Sequence, residues 1–202
     1  NYSMDFDASS SQYVDTNFVP ADNLTLDCSI SAWVNMPAIN NNTNSSILGT
    51  YDFTDNRPIG GQNRARFFLR ILRTGGVYYY MIGLGTVQDT TVTISNFSAN
   101  TWVHLAVTYD GTDIKLYSNG TLDGTLNAGN IGSYPPIIAS FNGISYIGAT
   151  HRSSGANTEA HITGKIDAVA IYNYPLSASQ VTTLYGDSTN GSGNPMALPN
   201  PP

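Results

Sequence analysis

The sequence predicts an all-β, antiparallel sandwich, and three observations carry that expectation. Apolar and polar residues alternate with period two through most of the chain, as strands with one buried face require. Glycine- and Asn/Asp-bearing pairs (Gly75-Gly76, Asp110-Gly111, Asn119-Gly120) fall between these stretches and supply the positive φ angles of tight hairpins. Only 11% of the 202 residues are charged, against about 25% in ordinary domains. Asn, Ser, Thr and Tyr carry the polarity instead, with 19 glycines for turns.

Taken in order, strands are expected near 3–7, 12–16, 25–36, 46–51, 64–73, 77–84, 89–95, 102–109, 112–118, 121–126, 144–149 and 160–173. The single cysteine, Cys28, alternates with Leu26, Ile30, Ala32 and Val34 on an inward face, which predicts a buried, inert thiol. If Thr74 faces Val77 across the Gly75-Gly76 turn, then Phe67, Leu69 and Ile71 oppose Leu84, Ile82 and Tyr80 on a core face. The other face then carries Arg66, Phe68, Arg70, Tyr79 and Met81. One short helix is expected near 177–185. Ser177 caps it, Gln180 completes a capping box, Leu176 and Val181 form a hydrophobic staple, and Gly186 closes it.

The domain is expected to span 1–186. Residues 187–202 are rich in Gly and Ser and then hold four of the ten prolines, the composition of a linker to a further domain. The opening Asn1 suggests a processed or excised fragment.

Several function classes are disfavoured. A net charge of −6 with only eight Lys and Arg gives no counterion-releasing surface for nucleic acid. No apolar run approaches the roughly 18 residues of a membrane span. Glycosidic cleavage needs two carboxyl groups flanking the bond, yet the chain has one glutamate, Glu159, in a Gly/Ser/Asn-rich stretch expected to be a loop. His104, His151 and His161 show no zinc spacing, and His104 is expected to pack against an aromatic ring. No catalysis is expected.

Four blocks give a family resemblance: Met4-Asp5-Phe6-Asp7, Ser29-Ile30-Ser31-Ala32-Trp33-Val34, the run from Trp102 to Gly111, and the run from Gly164 to Ser177. In order and spacing they resemble the motifs of the laminin-G-like jelly-roll family, within the concanavalin A-like lectin/glucanase superfamily. The resemblance covers about residues 3 to 186 and implies a jelly-roll sandwich. It also implies that Trp33 and Trp102 are packing residues. Many relatives carry one structural Ca²⁺ where the first and last strands meet, and Asp7 and Asp167 stand in the positions that would hold it. Ala8 departs from the glycine of that motif.

The ligand surface expected from the residues is the Arg-aromatic strip Arg66, Phe68, Arg70 and Tyr79, joined by Tyr134, His151 and Arg152 on the loop rim. Sugar C–H faces stack on rings, and guanidinium groups grip hydroxyls, carboxylates or sulfates. The function expected is a non-catalytic adhesion or carbohydrate-binding module of a larger extracellular protein, with a polysaccharide or glycoconjugate as partner. The alternative is a structural interaction module of a virion or cell-surface assembly, whose partners are neighbouring protein subunits.

Overall fold

A computed structural model describes residues 3–20, 24, 27–52, 65–85, 87–89, 92–127, 143–152 and 157–189. Among them lie fourteen strands: β1 (Met4–Phe6), β2 (Val14–Phe18), β3 (Cys28–Asn35), β4 (Thr43–Asp52), β5 (Ala65–Thr74), β6 (Val77–Gly85) and β7 (Val87–Asp89). The rest are β8 (Val103–Tyr109), β9 (Asp113–Ser118), β10 (Thr121–Asn127), β11 (Ser145–Ile147), β12 (Thr150–Arg152), β13 (Asn157–Glu159) and β14 (Gly164–Tyr172). One helix, α1 (Ala178–Thr189), follows.

The strands form two sheets. The first runs β1-β14-β3-β8-β9-β10, and the second runs β13-β12-β4-β5-β6-β7, with β11 joining β4 and β2 joining β11. Their inner faces make the core. Ile30, Ala32, Val34, Leu105 and Val107 from one sheet meet Phe67, Leu69, Ile71, Tyr80 and Ile82 from the other, all nearly fully buried. Each Val, Leu, Ile or Phe side chain among them contributes about 1.5–3 kcal/mol by leaving water. Cys28 belongs to this core, and burial, with the nearby Asp27 charge, pushes its thiol up to about 12. It is inert, as expected.

The expected β5–β6 register holds residue for residue, from Thr74↔Val77 to Phe67↔Leu84. Gly75 and Gly76, at φ +56° and +84°, set it. Between β9 and β10, Asn119 and Gly120 both take positive φ and connect Ser118 to Thr121.

Helix α1 lies on the outer side of the six-stranded sheet, where Leu176, Val181 and Leu184 pack with Ala106 and Tyr117. The capping box forms: the Ser177 amide donates to Gln180 Oε1 at 2.8 Å, and the Gln180 amide donates to Ser177 Oγ at 3.3 Å. Gly186 does not end the helix, which continues to Thr189. Burial of the Val181/Leu184 stripe and continued backbone hydrogen bonding outweigh one glycine, whose helix penalty is about 1 kcal/mol.

Other departures follow from element length. Of the strand expected over 89–95, residues 90 and 91 lie outside the described residues, and the rest shows Asp89 at the end of β7 and a single bridge between Tyr79 and Thr93. β2 begins two residues later than expected. β12 and β13 occupy a stretch read as loop, because three-residue strands are too short to show a period.

Candidate functional site

Side chains of directly paired residues project to the same face. Across the outer face of the eight-stranded sheet this builds three rows. Asn44 opposes Leu72, which opposes Tyr79; Ser46 opposes Arg70, which opposes Met81; Gly49 opposes Phe68, which opposes Gly83. Tyr146 on β11 extends the last row beyond Gly49. A bulge between Ser46 and Leu48 turns both Ile47 and Leu48 into the core while keeping Ser46 outward.

Arg70 stands at the centre of this face, and it is only 3% exposed. Its Nε donates to Thr150 Oγ1 at 3.0 Å, Nη1 to Asn44 Oδ1 at 3.3 Å, and Nη2 to Glu159 Oε1 at 2.7 Å. The guanidinium carbon lies 4.5 Å from the centre of the Phe68 ring. Thr150 Oγ1 also bonds Ser46 Oγ at 2.8 Å. Gly49 permits this approach: a Cβ there would stand 2.5 Å from Phe68 Cβ and 2.9 Å from Thr150 Oγ1. A buried cation is tolerable only when paired and hydrogen-bonded, and β4, β12 and β13 together meet that need.

The strip read from the sequence is thus divided. Phe68 is fully buried and Arg70 nearly so, because the β12–β13 pair brings Thr150 and Glu159 onto the guanidinium. Strand parity gives the face correctly but does not show what lies over it. Tyr79 keeps partial exposure in the row with Asn44 and Leu72. Arg66 sits on β5 opposite Tyr51 and Gly85. His151 and Arg152 sit on β12, paired with Thr158 and Asn157. The side chains of these three, and the whole of Tyr134, lie outside the described residues.

Sequence reasoning missed Asn44, Ser46, Thr150 and Glu159. Glu159 is not in a loop but on β13, with 31% of its side chain exposed beside Arg70. One signal was available: the chain's sole glutamate is the natural partner for an arginine on a sheet. Next to it, Thr158 Oγ1 and His161 Nε2 lie 2.8 Å apart, and partial burial lowers the His161 pKa. The network has one carboxylate, engaged by a guanidinium, and is suited to receive hydrogen bonds from hydroxyl groups.

On the opposite sheet His104 behaves as expected. Its ring lies 5.3 Å from Trp33 and 6.3 Å from Tyr185, and Trp33 and Tyr185 stack at 5.7 Å. Ser31 Oγ meets Nε2 at 2.9 Å, and burial lowers the pKa to about 4. Trp33 is therefore a packing residue beneath α1. Trp102 is not packed away; it is 39% exposed, one row beyond the part of the sheet that α1 covers.

Asp7 and Asp167 are not brought together. Phe6 pairs with Gly164 and Met4 with Ile166, so the two aspartates stand at opposite ends of the β1–β14 ladder. Asp7 caps a short 3-10 turn through Ser9 and Ser10, which holds its carboxyl below the usual range. Asp167 accepts the Ala168 amide at 2.7 Å. As a pair they do not fit one calcium ion, and among the described residues no three His, Cys, Asp or Glu side chains cluster as metal ligands.

Two packed sheets, antiparallel except where β12 runs parallel to β4, with these crossing connections define a lectin-type jelly roll. A laminin G family model, described as the concanavalin A-like lectin/glucanases superfamily, matches residues 8–182, and the chain belongs to that family. No curated protein matches it in sequence. Among solved structures it is similar to the CBM40 of the IT-sialidase from Ruminococcus gnavus bound to α2,3-sialyllactose. That likeness has 16% identity and a TM-score of 0.65, over 92% of this chain and 97% of that one. Domain 4 of AbnA, a GH43 extracellular arabinanase from Geobacillus stearothermophilus, in complex with arabinotriose, is 19% identical with a TM-score of 0.54, over 81% and 68%. A heptameric SAP-like pentraxin from Limulus polyphemus is 15% identical with a TM-score of 0.59, over 80% and 70%. At these identities the likeness establishes the fold.

Proposed function

We propose that this domain is a non-catalytic carbohydrate-binding module acting outside the cell, and that the outer face of its eight-stranded sheet receives the sugar. The observation that carries the reading is the Arg70 network. A buried guanidinium fixes Glu159 and Asn44 in place and leaves them beside the half-exposed Tyr79 and Met81. Fixed polar groups next to an aromatic ring suit a ligand that is a ring of hydroxyls with apolar C–H faces. In this reading Phe68 and Arg70 act from beneath, as positioning residues. Tyr79, Asn44 and Glu159 touch the sugar, Arg66 on β5 and Arg152 on β12 extend the contact, and His151 is proposed only at the rim. Tyr134 stays a proposed rim contact.

Family membership supports the reading, as does the whole-module likeness to the sialidase CBM40 and to an arabinanase domain seen with arabinotriose. Extracellular action is supported by that arabinanase, itself described as extracellular, and by the low-charge, hydroxyl- and amide-rich composition.

Calorimetric titration of the domain with a panel of neutral and anionic oligosaccharides, with and without calcium, tests this. The expected result is at least one saturable ligand whose affinity falls tenfold or more in Tyr79→Ala, with the unfolding midpoint preserved. A folded domain that binds nothing in the panel overturns the reading and favours an assembly module.

A further inference from the structure

At the free edge of the same face, Tyr13 and Tyr146 stack in parallel, with centroids 4.5 Å apart and planes 9° from parallel. Tyr146 is half-buried and opposes both Gly49 on β4 and Asp15 on β2. Tyr13 is 44% exposed. One of its faces rests on Tyr146. Two residues along the chain, on the same side, Asp15 is exposed. Its Oδ1 accepts the Asn17 amide at 2.9 Å, which orients the carboxylate. Asn17 adopts φ +53° to make that turn. Among the described residues, the hydrogen bond from the Asn17 amide is the contact of this carboxylate.

We infer that Tyr13, braced by Tyr146 and flanked by the carboxylate of Asp15, is a second saccharide subsite that takes a neutral sugar ring. The inference rests on the carbohydrate-binding reading above and adds a place and a selectivity to it. A pyranose or furanose has an apolar C–H face that covers an exposed phenol ring and removes it from water. Stacking on Tyr146 holds that ring in one orientation, so little side-chain entropy is lost on binding. A carboxylate is acceptor-only and takes two vicinal hydroxyl donors, whereas a uronate, sialate or sulfate brings like charge to it.

Asp15 therefore opposes acidic sugars here, and the net charge of −6 acts in the same direction. Arg70 is itself neutralised by Glu159 at 2.7 Å and so adds little attraction for an acidic sugar.

Titration of the full chain with linear neutral oligosaccharides of glucose, mannose, xylose and arabinose, set against uronic-acid and sialylated oligomers, tests the subsite. Wild type, Tyr13→Ala, Asp15→Asn and Tyr79→Ala are compared. The expected result is a neutral ligand that loses tenfold or more in Tyr13→Ala and several-fold in Asp15→Asn, with both variants unfolding at the wild-type midpoint. If both variants bind that ligand within twofold of wild type while Tyr79→Ala loses it, the subsite is wrong and the main reading stands. Binding only of acidic sugars, strengthened by Asp15→Asn, also overturns the inference. Failure of every saccharide overturns it together with the reading on which it rests.

Discussion

Arg70 and Glu159 meet at 2.7 Å across two strands distant in sequence, and this contact joins the β12–β13 pair to the face of the eight-stranded sheet. Glu159 is one-third exposed, so water offsets part of its loss, whereas Arg70 is shielded. Glu159→Gln keeps the shape and an acceptor but removes the charge that balances a buried cation. It is expected to cost about 1–3 kcal/mol in urea unfolding. Arg70→Met, which removes the buried charge and keeps the stem volume, is expected to cost less than Glu159→Ala. The reverse order would mean that the ion pair does not hold the hairpin.

His104 gives the fold a pH dependence with a definite sign. Its folded pKa is lowered to about 4 by burial, below the ordinary 6.5. Between those values the unfolded chain binds a proton that the folded chain refuses. Stability is therefore full above pH 6.5 and falls as the pH drops toward 4, by at most about 3 kcal/mol. His161 contributes in the same direction. Stability curves at stepped pH should lose most of this slope in His104→Gln, which keeps a neutral amide near Ser31. An unchanged slope would assign the acid sensitivity to other groups.

Gly164 opens the last strand at φ +137°, and a Cβ there would stand 2.5 Å from the Asn35 carbonyl oxygen and 2.8 Å from Met36 Cα. The obstacle is backbone, so it cannot swing aside. Gly164→Ala is expected to destabilise by more than about 2 kcal/mol, through strain and clash together. Gly186→Ala, in the helix with nothing within 4 Å of its Cβ position, should instead stabilise by about 0.5–1 kcal/mol. Thermal unfolding of the two variants checks both signs.

Much of the architecture was legible because local chemistry and global packing agree. The Gly75-Gly76 turn and the alternation of Phe67, Leu69 and Ile71 fix both register and inward face without knowledge of the other sheet. Ser177 and Gln180 mark the helix start by direct hydrogen bonds. The site was half legible. The face of Arg70 followed from parity, but its burial depends on Thr150 and Glu159, carried by strands of three residues. Such strands have no period to read, and long-range pairing leaves no local trace. The Tyr13–Tyr146 stack is hidden for the same reason: β2 and β11 pair only in the folded sheet. Trp102 shows the limit of motif reasoning, since a position shared with the family fixed its place but not its exposure.

The central claim is that the outer face of the eight-stranded sheet binds sugar. Amide chemical-shift mapping by NMR, during titration with the tightest oligosaccharide from the panel, tests it most directly. Saturable shifts are expected on β4, β5, β6, β11 and β13, including the Tyr79, Glu159 and Tyr146 amides, with α1 and β8 unperturbed. Shifts confined to the six-stranded sheet around Trp102, or no saturable shift with any saccharide, would contradict it.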